Sequence, residues 1–200
     1  MIKRLATAAA LIVVSSVPAF AHLDPAEHGS FMAGVTHPLF GVDHILAMVA
    51  VGLWAALLAR SGGSRALWLV PAAFVGTMGL GFAAALGAFP LPFVEPVILA
   101  SVVVIGLFAA AALNVPTGLA MALVGFFALF HGHAHGGELG AATALPYGLG
   151  FALSTAVLHA AGVAAGLGLG RVLGGSGGQF ATRLAGGATA LGGLWLAFAA

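Results

Sequence analysis

The chain has no cysteine and little charge: 6 Lys plus Arg and 5 Asp plus Glu among 200 residues, for a net charge of +1. Without cysteine, disulfides, thiolate metal sites and thiol catalysis are excluded. The near-neutral balance and the lack of any basic run exclude nucleic acid as a partner. No Walker motif is present, so ATP is not a direct energy source. Charged residues are 6% of the chain, against roughly 25% in an average soluble domain. Hydrophobic residues are 62%. At ~20 residues per span there is room for about six membrane crossings and little else. The fold class is therefore an all-α integral membrane protein, a bundle of about six transmembrane helices surrounded by lipid. Histidine, with 8 copies, outnumbers either sign of charge.

The first segment, "MIKRLATAAALIVVSSVPAFA", has a basic start at Lys3 and Arg4, a short apolar core and a closing Ala19-Phe20-Ala21. This is the pattern of a signal peptide over residues 1–21 with an A-x-A cleavage site. The alternative is an uncleaved first helix. Cleavage leaves residues 22–200 as one membrane domain with His22 outside the cytoplasm. His22 would then offer an α-amine beside its imidazole, two nitrogen donors for one metal ion.

Six helices are expected after the polar "HLDPAEHGS": about Pro38–Arg60, Ala66–Leu86, Glu95–Leu113, Pro116–His131 with an extension through His135 left open, Pro146–Gly170 and Phe180–Phe198. "GAFPLPFVEP", "NVP" and "LGGSGGQ" read as the loops between them. Cytoplasmic loops are enriched in Lys and Arg. With the mature N-terminus outside, six alternating spans place Arg60, Arg65, Arg171 and Arg183 all inside. The same topology brings His22, Asp24, Glu27, His28, Glu95, His131, His133, His135 and Glu138 at or near the outer face. The 31 glycines read as close-packing positions between helices.

Three polar motifs interrupt the apolar runs. In "HPLFGVDH", His37 and His44 fall on one face if both are helical, with Gly41 opening space beside them. Asp43 and His44 would sit about 8 to 9 Å below Pro38 at the helical rise. An ionised carboxylate at the bilayer centre costs about 3 kcal/mol even on permissive scales, so Asp43 needs a partner or a wet cavity. A purely structural Asp–His pair holding helices together is the bland alternative. In "FHGHAHGGE", a continuous helix puts His131, His135 and Glu138 on one face and His133 opposite. If the glycines unwind it, the same residues form a flexible outer loop. Imidazole nitrogens with a carboxylate suit a borderline divalent metal. In "GFALSTAVLHAAG", His159 lies roughly 20 Å deep at the helical rise, with Thr155 one turn above as a candidate partner. The bland reading is a histidine hydrogen-bonded across to another helix. Ligands at successive depths suggest a path.

These three motifs, in order and with the signal peptide, resemble the HupE/UreJ family of bacterial membrane proteins, linked to nickel supply for hydrogenase and urease. The family is viewed as nickel or cobalt permeases, and its His-and-Asp motif is similar to that of larger nickel/cobalt transporters. The resemblance implies a multi-pass protein of the bacterial inner membrane. It implies His37, Asp43 and His44 as leading metal-site residues, with His131, His135, Glu138 and His159 as further candidates. It assigns His133 no role.

The expectation is uptake of a divalent cation, Ni²⁺ or Co²⁺, as cargo, with no resident cofactor and no enzymatic activity. A homo-oligomer is compatible with the sequence. A negative-inside potential favours inward movement by about 2.3 kcal/mol per charge per 100 mV. Metal binding displaces protons from histidine, so loading weakens as pH falls. Two competitors remain. One is an intramembrane metal-dependent hydrolase, with His37, His44 and His159 holding zinc and Asp43 as base. The other is a metal-binding accessory protein that does not itself transport.

Overall fold

The computed structural model describes residues 29–199. The expected signal peptide, its expected cleavage site and His22 lie outside the described residues. Among these, the chain is all helical, in seven helices: α1 (Ser30–Phe40), α2 (Val42–Gly62), α3 (Ala66–Leu86), α4 (Val94–Ala110), α5 (Thr117–Gly137), α6 (Ala144–Val172) and α7 (Gly174–Ala199). Four of them, α2, α3, α5 and α6, are long and apolar enough to cross a membrane, and α4 is a shorter apolar helix of 17 residues.

Helix α2 forms the centre. Met48, Val51, Trp54 and Ala55 are fully buried, and Trp54 Nε1 donates to the Leu113 carbonyl at 2.8 Å. Around it the outer surface is apolar, with Trp68, Leu80, Phe126, Leu149, Leu191 and Trp195 exposed, while several histidines, serines and threonines lie inside. Exposed apolar area on every side is unfavourable in water. It fits a bilayer as the surrounding solvent, and with four spanning-length helices it makes this a multi-pass membrane architecture.

Glycine sets the helix spacing. A Cβ at Gly52 in α2 would overlap the His159 carbonyl of α6, and one at Gly162 would overlap the Val49 carbonyl in return. Gly81 and Gly132 make the same reciprocal contact between α3 and α5, which run parallel, as do α1, α2 and α6. Backbones approach this closely only where no side chain intervenes. The resulting bundle has two unlike ends. Arg60, Arg65, Arg171 and Arg183 all lie at one, where Arg60 donates to the Gly175 carbonyl at 3.0 Å and Arg183 to that of Ala110 at 2.8 Å. His37, Asp43, His44, Glu95, His135 and Glu138 gather at the other.

Two expected boundaries are corrected. The helix expected from Pro38 begins at Ser30 and breaks at Gly41, whose backbone is extended (φ −80°, ψ 114°). Pro38 lies inside α1 rather than opening a helix. With no N–H it cannot bond the Gly34 carbonyl one turn back, and α1 ends two residues later, where the Gly41 N–H bonds to the His37 carbonyl at 3.2 Å. The "GGSGGQ" run expected as a loop is instead the first turns of α7. Glycine is a poor helix former, by about 1 kcal/mol against alanine. Here the lost propensity is offset by close packing, since a Cβ on Gly178 would run into Gly170 of α6. Elsewhere agreement is close: α3 has the expected limits, and α5 continues as a helix through His135 to Gly137.

Candidate metal centre

His37, His44 and His135 converge from α1, α2 and α5, and each offers a ring nitrogen within 4.8 Å of the others. All three are buried. The break at Gly41 makes this possible. His37 ends one helix, Asp43 and His44 begin the next, and the rings of His37 and His44 meet edge to face at 5.3 Å. The seven-residue spacing thus brings the two histidines together across a kink rather than along one helical face.

The proton positions follow from the partners. His44 Nδ1 lies 2.9 Å from Asp43 Oδ1. A carboxylate only accepts, so Nδ1 carries the hydrogen and Nε2 presents its lone pair. That lone pair points at His135 Nε2, 2.6 Å away. Two ring nitrogens at this distance must share a proton or a cation. At nitrogen–metal distances of 2.0–2.1 Å, two cis ligands stand roughly 3 Å apart, so a divalent ion fits after a shift of a few tenths of an ångström. Asp43, hydrogen-bonded to the far nitrogen of a ligand, holds that ligand's orientation and basicity. Gly41 keeps the pair in place, because a Cβ there would come within 2.8 Å of His44 Nδ1.

Above the histidines is a cavity of about 310 Å³ whose walls include Asp43, Glu95 and Glu138. Glu95, at the start of α4, and Glu138, the residue capping α5, are exposed at the rim. Three carboxylates around one opening favour entry of a cation. Glu95 was recognisable in the sequence only as an outer-face residue; its place on this cavity comes from the packing of α4.

The remaining expected residues lie apart from the trio. His133 points away, as its position opposite His131 and His135 implies, and its Nε2 donates to the Phe89 carbonyl at 2.8 Å, tying α5 to the segment after α3. His131 is fully buried one turn further in, its ring 5.4 Å from that of His44. Its Nε2 lies 2.9 Å from Ser101 Oγ. His159 is buried deeper, across Phe74, whose ring is 5.6 Å from His131 and 4.9 Å from His159. Neither ring nitrogen of His159 has a hydrogen-bond partner among the described residues. The suggested Thr155 partner is corrected, because Thr155 Oγ1 turns toward the Met78 sulfur at 3.8 Å. The three-histidine grouping required by a hydrolase is also corrected, since His135 and not His159 joins His37 and His44. Neither Ser101, a small residue in an apolar run, nor Phe74 carries a sequence signal that would have marked it.

With this geometry in view, residues 9–196 match the HupE / UreJ protein family. The chain is 43% identical to Protein HupE of Rhizobium leguminosarum bv. viciae over 180 residues, covering 89% of this chain and 90% of that one. No solved structure matches it. A family match over nearly the whole length, joined to a close full-length relative, establishes that the chain belongs to the HupE/UreJ family.

Proposed function

We propose that this protein is a permease for a divalent transition-metal cation, nickel or cobalt foremost, which enters at the carboxylate-rimmed end and leaves at the arginine end. The observation that carries the reading is the convergence of His37, His44 and His135 below an acidic opening. Neutral imidazoles suit Ni²⁺ and Co²⁺. Three histidines bind strongly enough to strip part of the hydration shell, and ligands further along allow release. The ion is cargo, so no resident cofactor is needed. In this reading α4 and α7 complete six spans, α1 is a short helix packed beside α6, and the arginines face the cytoplasm of a bacterial inner membrane. Residues 1–21 serve as the signal peptide, leaving the mature N-terminus, with His22, outside.

Asp43 speaks against the hydrolase alternative. A general base must reach the attacking water, and this carboxylate is engaged behind a ligand by His44 Nδ1. The test is radiolabelled nickel uptake into sealed proteoliposomes, with and without an inside-negative potential. Saturable uptake, stimulated by the potential and abolished in His44→Ala, is expected. Stoichiometric nickel binding without uptake would replace the permease with a metal-binding accessory protein.

A further inference from the structure

Beyond the mouth, His131 has a defined chemical state that the structure allows to be worked out. Ser101 Oγ lies 2.6 Å from the Ile98 carbonyl, which can only accept, so the serine hydroxyl hydrogen is committed there. The contact between Ser101 Oγ and His131 Nε2 at 2.9 Å therefore needs its hydrogen from the imidazole. His131 carries its proton on Nε2, and Nδ1 is left with a bare lone pair. That Nδ1 is buried and has no hydrogen-bond partner among the described residues. An unpartnered buried acceptor is unfavourable, and this one belongs to the ring next inward from His44, at 5.4 Å.

We propose that Ser101, anchored on the Ile98 carbonyl, is the positioning residue that fixes the tautomer of His131, a histidine the family resemblance makes a metal-site candidate, and leaves His131 Nδ1 as the nitrogen open to the cation. The proposal rests on the permease reading. It assigns a separate task to each histidine on α5: His135 completes the capture site, His131 carries the ion onward, and His133 fastens the helix to its neighbour. Movement is inward, toward Phe74 and His159, along α5 and α3.

Nitrogen NMR of the protein labelled at histidine, in detergent with zinc as a diamagnetic probe, reads the tautomer directly. The His131 signals are assigned by their loss in His131→Gln or, if that variant is not recovered, in His131→Leu. An unprotonated Nδ1 and protonated Nε2 are expected in the native chain. Ser101→Ala should lose that preference, and Ser101→Thr should keep it. Nickel uptake should fall on the order of 10–100-fold in Ser101→Ala, the range for loss of a residue orienting a metal ligand. It should recover in Ser101→Thr. The first zinc equivalent should still bind with native affinity in both, a split that general damage to the fold would not give. A protonated Nδ1, or native uptake by His131→Leu, would overturn the proposal. If the native chain itself shows no uptake, the permease reading is what falls, and a zinc-dependent shift of His131 Nδ1 then decides whether this nitrogen is a ligand.

Discussion

The mouth and the interior of this bundle both hold histidines, and they treat them in opposite ways. At the mouth, His37, His44 and His135 are crowded together beside Asp43 and under Glu95 and Glu138. In the interior, His131 and His159 are each packed against the ring of Phe74, and between them three of their four ring nitrogens lack partners among the described residues. On the permease reading, the mouth raises the local concentration of a cation through charge and chelation. The interior offers few alternatives to one. A gradient of this kind, from many donors to few, lets an ion that is caught firmly also be released.

Breaking the mouth should have the largest effect. His135→Ala removes one of three converging nitrogens and leaves His44 Nε2 without its neighbour. High-affinity cobalt binding, followed by its visible absorption in detergent, should be lost by more than about 100-fold, beyond the range for losing an outer partner of a ligand. Binding within a few fold of native would mean that the ion is held elsewhere. Asp43→Asn comes next. It keeps the shape but withdraws the anion from His44 Nδ1, and affinity should fall about 10–100-fold. Titration calorimetry measures this, and an unchanged affinity would reduce Asp43 to a structural pair.

Smaller effects sharpen the contrast. Glu95→Gln with Glu138→Gln should raise the KM for nickel a few fold at low ionic strength and much less in high salt, because rim charges act through a screened field. A loss of maximal rate at saturating nickel would instead put these carboxylates inside the path. Replacing His159 by leucine removes two buried, unpartnered nitrogens and substitutes an apolar side chain of similar volume. Thermal unfolding in detergent should shift upward, by about 1–3 kcal/mol of stability. A downward shift would show that His159 has an interhelical partner after all.

Much of the helical layout was readable in the sequence because apolar runs of membrane length end in glycine, proline and arginine; α3 is found at its expected limits. What escaped depends on tertiary packing. Residues 174–179 are helical despite four glycines, and the close approach of Gly178 to Gly170 of α6 is a tertiary contact that no local propensity reports. Pro38 pointed to a helix start by a sound rule and instead sits near a helix end. The candidate site was legible in its members but not in its grouping. His37, His44 and His135 stood out as polar residues in apolar surroundings, whereas the choice of His135 over His159 follows from depth: α6 packs on both α1 and α2, but it carries His159 level with Gly52, about two turns further in than His44. Ser101 was invisible, since its importance lies in two hydrogen bonds.

The partners of the trio are far apart along the chain: His44 and His135 are separated by 91 residues. Biosynthesis proceeds from the N-terminus, so the ligands on α1 and α2 enter the membrane well before α5 supplies the third. Until then no complete chelate exists. On the permease reading, a chain that has not yet made α5 lacks the third nitrogen that would hold the ion. Competence to bind metal at this site then arrives with the docking of α5, which makes the cargo a reporter of assembly up to that helix.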